Sequence, residues 1–171
     1  MTAGPLHFDP IDEARSLWAK RWDPDVSHAM AAATSIMRAQ QIVLGAVDGA
    51  LRPFDLTFAR YEGLMLLSFS RRGSLPLGKM GQRLMIHPTS VTNIIDRLEG
   101  QGLVRRTSHP TDGRTTLAEI TNDGRRLAKR ATEAVNDVAF GLAALNKQDL
   151  RHLVRIIRKL RSSRGDFVSD R

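Results

Sequence analysis

Between residues 79 and 114 the chain gathers short polar side chains and cations at spacings that suit the reading of a polyanion. Thr89, Ser90, Asn93 and Arg97 fall on one side of a helix, opposite the apolar Val91, Ile95 and Leu98. An asparagine can offer a donor and an acceptor together to adenine, and an arginine can take a guanine edge or a phosphate. Hydroxyls in a first helical turn, beside free backbone amides, also suit a phosphate. Downstream, "RRTSHPTDGRT" carries Arg105, Arg106, Asp112, Gly113 and Arg114. Asp-Gly between two β-prone runs signals a hairpin turning at those two residues, with Arg114 directly after the turn. Strand alternation sends Arg105 and Arg106 to opposite faces, so at most one of them, either Arg105 or Arg106, faces an external partner. Lys79 and Arg83, on a preceding amphipathic stretch, suit backbone phosphates. None of these residues forms a nucleophile–base pair, a phosphate loop or a metal cluster. The expected chemistry is hydrogen bonding and charge, and the chain is not expected to be an enzyme.

The bulk composition agrees. The chain has 171 residues, 42% hydrophobic and 26% charged, as in a folded globular protein. Its formal net charge of +8 points to a polyanionic partner. It has no cysteine, which excludes disulfides, thiolate zinc sites, iron–sulfur ligation and a cysteine redox switch. The five histidines (His7, His28, His87, His109 and His152) show no ligand spacing, so neither a metal nor a cofactor is expected. No apolar run approaches the ~20 residues of a membrane span. "MTAGPLHFDPID" lacks the regions of a secretion signal, so a cytoplasmic location is expected.

The elements that must position these residues are legible in outline. "DPIDEARSLWAKRW" opens with Asp9 as cap and Pro10 in the first turn, and carries an apolar stripe of Leu17, Trp18 and Trp22. "DPDVS" then breaks the helix. Ser27 is the expected cap of a long helix to about Leu51, apolar on more than one face and so suited to burial between subunits. Arg52-Pro53 ends it, and Thr57 starts a helix that stops at Gly73. "PLGKMGQRL" reads as a short helix with Leu77, Met80 and Leu84 inward. "MIHP" reads as a tight turn, and Pro88 begins "PTSVTNIIDRLEGQG", stopped by Gly100 and Gly102. Thr121 starts another long helix through "NDGRRLAKRATEAVNDVAFGLAAL". Asn146 and Asp149 form a capping box for the last helix, whose basic face (Arg151, Arg155, Arg158, Lys159) reads as solvated. The tail "RSSRGDFVSDR" is expected to fray.

Two short helices, a tight turn and a strand–hairpin–strand make a winged helix-turn-helix. The string "HPTSVTNIIDRLEGQGLVRRTSHPTDGRTTLAEITNDG" resembles the multiple-antibiotic-resistance (MarR) family of bacterial transcription regulators. The likeness lies in a helix ending "RLE..GLV.R", then "P.D.R", then a strand ending "IT..G", and it covers roughly residues 28 to 160.

The resemblance implies a mainly α fold with a small β-hairpin wing. Residues 57–120 would form the DNA-binding region, 28–56 and 121–171 a helical dimerisation region, and 1–27 an N-terminal extension helix. It implies a homodimer on a pseudo-palindromic double-stranded operator, acting as a repressor until a small ligand releases it. By the same likeness Arg114 enters the minor groove and Asp112 orients it by a bidentate pair, although Asp-Gly turn chemistry accounts for Asp112 equally well. Gly113 stands where the family commonly has a further arginine. An extra helix with tryptophans is similar to the urate-responsive subgroup, in which such a helix covers a ligand pocket. Glu62 occupies the place of that pocket's acid, but Ile94 that of its arginine. Trp18, Trp22, His28, Phe54, Phe58, Tyr61, Glu62 and Met65 are thus candidates to line a site for an aromatic or apolar effector, or simply core. A non-specific architectural DNA-coating protein is the alternative function. Thr89, Ser90 and Asn93 argue against it, since a pure backbone binder has no use for them.

Overall fold

The computed structural model describes residue 4 and residues 6–168. Helix α1 (Pro10–Ala19) starts as expected: the Asp9 carboxylate accepts the Ile11 N–H at 2.8 Å, and Pro10 occupies the first turn. Helix α2 (Pro24–Leu51) starts earlier than expected. Its cap is Asp23, which accepts the Asp25 N–H at 2.9 Å, and Ser27 lies inside the helix with its hydroxyl on the Pro24 carbonyl. Asp23-Pro24 repeats the start signal of Asp9-Pro10, so the break shrinks to the few residues before Asp23. With 28 residues α2 spans about 42 Å.

A 3-10 turn at Arg52–Phe54 and a left-handed Asp55 lead into α3 (Phe58–Phe69), capped by Thr57. The Asp48 carboxylate accepts the Phe58 N–H at 2.8 Å, which ties the start of α3 to α2. Helix α3 ends at Phe69, four residues before Gly73, and the turn leads into a strand that the sequence reading lacks, β1 (Ser74–Pro76). Helices α4 (Leu77–Leu84) and α5 (Pro88–Gly100) follow, then β2 (Val104–His109) and β3 (Asp112–Ile120). The sheet is antiparallel in the order β1-β3-β2, with Ser74 opposite Glu119 and Val104 opposite Ile120. The wing is therefore a hairpin with a third, short strand at its base. Three residues ending in proline are too few to show a period of two.

Helix α6 (Asn122–Asp137), capped by Thr121, is shorter than the expected run to about Leu145. Ala139, Phe140 and Gly141 all have positive φ in a 3-10 turn. There the chain presses on α2, and a Cβ on Gly141 would lie 2.8 Å from that of Ala46. Helix α7 (Lys147–Ser163) carries the expected capping box. The tail does not fray at once. Arg161 pairs with Asp166 at 2.5 Å, and both Arg158 and Arg161 lie over the Phe167 ring. Residues 169–171 lie outside the described residues.

The core gathers Leu51, Leu64, Leu67, Met80, Val91, Ile95, Leu98 and Val135, all essentially inaccessible to solvent. Burying a large aliphatic side chain contributes about 1.5–3 kcal/mol, so this set fixes α5 against α3 and α4. Two glycines set how closely elements approach. A Cβ on Gly63 would meet Ile94 at 3.1 Å, where α3 crosses α5, and one on Gly124 would lie 2.1 Å from the Leu103 carbonyl oxygen. The second contact seats α6 on the base of the wing.

Candidate nucleic-acid interface

Helix α5 presents two opposite faces. Val91, Ile95 and Leu98 are buried as expected, joined by Ile94, while Thr89, Ser90, Asn93 and Arg97 are exposed. Pro88 occupies the first turn, and the cap is the His87 ring, whose Nδ1 accepts the Thr89 N–H at 3.3 Å and lies 3.1 Å from the Thr89 hydroxyl. Sequence reasoning missed this cap. The signal was a polar side chain immediately before a first-turn proline. Arg97 has no ion pair among the described residues. The carboxylates that could have held it, Asp96 and Glu99, are taken by Arg106. It borders instead a cleft of about 660 Å³ shared with Asp55, Arg60, Asp96, Gly100 and Gln101.

The wing departs from the expected turn. Its two loop residues are Pro110 and Thr111, and Asp112-Gly113 already belongs to β3. Ser108 pairs with Thr116 and His109 with Asp112, so Gly113, Arg114 and Thr115 bulge outward with no counterpart on β2. Gly113 has no positive φ, and a Cβ there would meet nothing within 4 Å, so the backbone makes no demand for glycine. Asp112 caps this bulge. Its carboxylate accepts the Arg114 N–H at 3.0 Å and the Thr115 hydroxyl at 2.7 Å. The Thr115 hydroxyl and the Arg114 amide hold the carboxyl below its usual pKa. It does not pair with the Arg114 guanidinium, which corrects the expected bidentate orientation. Both carboxylate oxygens are committed to the chain beside it. Arg114 itself is exposed and has no ion pair among the described residues.

Neither Arg105 nor Arg106 is left as a free cation, which accords with the expectation that at most one of them faces a partner. Arg105 makes a bidentate pair across the sheet with Glu119, at 2.8 and 3.2 Å, and this holds the Glu119 carboxyl below its usual range. Arg106 turns to α5 and bonds Asp96 and Glu99. These partners lie on a different element, where strand alternation says nothing. Lys79 and Arg114 come together, lining with Gln82 a groove of about 490 Å³ between the start of α4 and the wing. Gln82 was missed, although it lies three residues after Lys79 on the same helix face. Arg83 is exposed in the last turn of α4 and has no ion pair among the described residues.

A helix with an outward polar face stands beside a cation-tipped wing, and comparison with known proteins identifies the fold. The family model described as MarR family matches residues 56–116, from the residue before the α3 cap to the wing. The crystal structure of Sco5413, a MarR family transcriptional regulator from Streptomyces coelicolor, superposes with a TM-score of 0.75. It is 50% identical over 82% of this chain and 98% of that one. The transcriptional regulator YhbI of Bacillus subtilis is 34% identical over 113 residues, 66% of this chain and 70% of its own. The transcriptional repressor Rv2887 of Mycobacterium tuberculosis is 32% identical over 117 residues, 68% of this chain and 83% of its own. The chain belongs to the MarR family. It is a transcriptional regulator of the winged helix-turn-helix type, not an enzyme.

Against the MarR-family expectation of an effector pocket, the candidate lining residues fall into separate groups. Trp18, on an α1 that packs along α2, contacts Trp22 in the following turn at 4.7 Å between centroids. Phe58 stacks on Tyr61 at 6.4 Å, the Tyr61 hydroxyl bonds that of Thr132 at 3.0 Å, and Thr132 also lies 3.3 Å from the Met65 sulfur. Phe54 lies under the Arg130 guanidinium. Phe54, Tyr61 and Met65 are thus packed against α6 and Phe58 against Tyr61, all in or against the core. His28 is exposed near the start of α2. Glu62 is exposed on α3 and has no partner among the described residues, and partial desolvation of its carboxyl pushes its pKa up. The clefts beside the wing and behind α5 are lined by other residues.

Proposed function

We propose that this MarR-family chain is a homodimeric, sequence-specific repressor that reads a pseudo-palindromic operator. The observation that carries the reading is the outward polar face of α5. Asn93 has no hydrogen-bond partner among the described residues, and it lies between Thr89 and Arg97 on a helix whose other side is locked into the core. A backbone-coating protein would need cations there and would gain nothing from an amide. Arg114, on an outward bulge, would enter the neighbouring minor groove, whose negative potential favours a guanidinium. Lys79, Gln82 and Arg83 would hold phosphates beside it.

The dimer is supported by apolar surface that the single chain leaves open. Helix α7 has no buried residue, and Val154 and Ile156 are 66% and 60% exposed. Met37 on α2 is 63% exposed, with Ile36 and Ile42 nearby on the same helix. A folded protein rarely leaves so much apolar helix surface to water, and a second copy would cover it. Two wings then address half-sites about one helical turn, roughly 10 bp, apart. No helix among the described residues is long and apolar enough to cross a membrane. A regulator of transcription would act beside the bacterial chromosome, in the cytoplasm.

The test is selection of a duplex from a random pool, followed by titration of that duplex and of a scrambled one at the same salt. A specific regulator binds the selected duplex at least about 10³-fold more tightly. Equal affinity for both would establish the architectural reading instead.

A further inference from the structure

Arg106 is tied to the recognition helix through every donor it directs at α5. Its guanidinium bonds Glu99, reaches Asp96 at 2.5 Å and lies 3.5 Å from the Thr92 carbonyl oxygen. Its backbone N–H donates to Glu99 at 2.8 Å. Thr92, Asp96 and Glu99 are four and three residues apart, so they form one stripe of α5. That stripe is distinct from the buried Val91–Ile95–Leu98 face and from the outward Thr89–Asn93–Arg97 face. The planar fork of arginine can hold two carboxylates one turn apart, which the single point charge of a lysine cannot do. The bonds are strong enough to hold the Glu99 carboxyl below its usual range, through the Arg106 amide first and its guanidinium second.

From these contacts we infer that Arg106 is a positioning residue that fixes the angle between wing and recognition helix, so that Arg114 and Asn93 reach their grooves together. This rests on the DNA-binding reading above. Arg106 sits opposite Ala118, four residues along β3 from Arg114, so the wing tip is about 13 Å from the clamp. A tilt of about 10° at the clamp moves the tip by about 2 Å, more than a positioned contact tolerates. The core holds α5 in place without Arg106, whereas among the described residues no other side chain of β2 or β3 makes a hydrogen bond or ion pair to a helix. The wing, rather than the helix, is therefore the part that loses register when the clamp is cut.

The test uses the full chain and a duplex selected by it. Affinities are measured over a range of salt for Arg106→Ala, Arg114→Ala, Asn93→Ala and the doubles Arg106→Ala/Arg114→Ala and Arg106→Ala/Asn93→Ala. Arg106→Ala is expected to weaken binding about tenfold and, because Arg114 disengages with the wing, to lower the salt slope no further than Arg114→Ala does. Arg114→Ala is expected to cost much less in the Arg106→Ala background than in wild type, while Asn93→Ala costs the same in both. A role in overall stability would scale all losses alike and would not single out the wing. A salt slope for Arg106→Ala/Arg114→Ala lower than that of Arg114→Ala by about 0.9 for each Arg106 removed would make Arg106 a phosphate contact in its own right and overturn the inference. A full Arg114→Ala loss in both backgrounds would also overturn it. If Arg106→Ala does not fold, Glu99→Gln, which keeps an acceptor for the Arg106 amide, carries the same cycle with the same two outcomes. If wild type enriches no duplex at all, it is the DNA-binding reading that fails, and the inference falls with it.

Discussion

Replacing Arg114 by Ala separates binding from folding, because the structure shows what that side chain does not do. Arg114 is exposed and makes no ion pair among the described residues, and the bulge that carries it is capped through its backbone by Asp112. Removing its side chain should therefore change stability by no more than about 0.5 kcal/mol. Each half-site should lose about 1–3 kcal/mol of binding free energy. A dimer loses two cations, so the slope of log affinity against log salt should become shallower by about 1.8. Between about 50 and 200 mM salt this difference corresponds to about a tenfold change, so the gap between wild type and variant should narrow by that factor. Fluorescence anisotropy on a labelled selected duplex at four or five salt concentrations measures both quantities, and a thermal melt checks the fold. An unchanged dissociation constant with an unchanged slope would remove Arg114 from the interface. A large drop in melting temperature would show that the bulge depends on the side chain after all.

Other consequences follow from particular contacts. Gly124→Ala adds a Cβ 2.1 Å from the Leu103 carbonyl oxygen, which accepts the Thr121 N–H at 3.0 Å. Overpacking should outweigh the helix propensity gained from alanine and destabilise the chain by about 1–3 kcal/mol, seen as a lower melting temperature. A raised melting temperature would contradict that packing. Val154→Asp places a charge on an apolar patch that is open in the single chain, so it should leave the fold intact and shift the mass in light scattering from a dimer to 19.0 kDa. An unshifted mass would place the dimer contact elsewhere. The Glu99 carboxyl is held below its usual range, so its pairing stabilises the fold above the ordinary glutamate value and is lost as pH falls through the lowered one. The melting-temperature advantage of wild type over Glu99→Gln should therefore narrow below about pH 4.3, and a constant gap down to about pH 3 would contradict the pairing.

Helix α5 was legible because Pro88 and Gly102 bracket it and because its apolar period separates Ile95 from Asn93 without ambiguity. Helix α1 was legible through Asp9-Pro10, and the same signal at Asp23-Pro24, once recognised, gives the start of α2. The rest depends on contacts between elements, which local pattern does not encode. The Asp112-Gly113 pair suggested a turn, but Pro110-Thr111 takes that place and frees the pair to start a bulged strand. Helix α6 ends early because the chain folds back on Ala46, about ninety residues upstream. Ser74–Pro76 becomes a strand only because Leu117–Glu119 offers it an edge. At the site, the outward face of α5 was visible from spacing alone. The partners of Arg106 were not, because strand alternation gives a direction but not what stands there.

The central claim is that the outward face of α5 reads sequence, and Asn93 tests it most directly. Selection from a random duplex pool with wild type and with Asn93→Ala should return a pseudo-palindrome whose half-sites lie about 10 bp apart. In the variant the consensus should flatten at one position in each half-site while the rest is kept. The same consensus from both proteins, or no enriched sequence from wild type, would contradict the account.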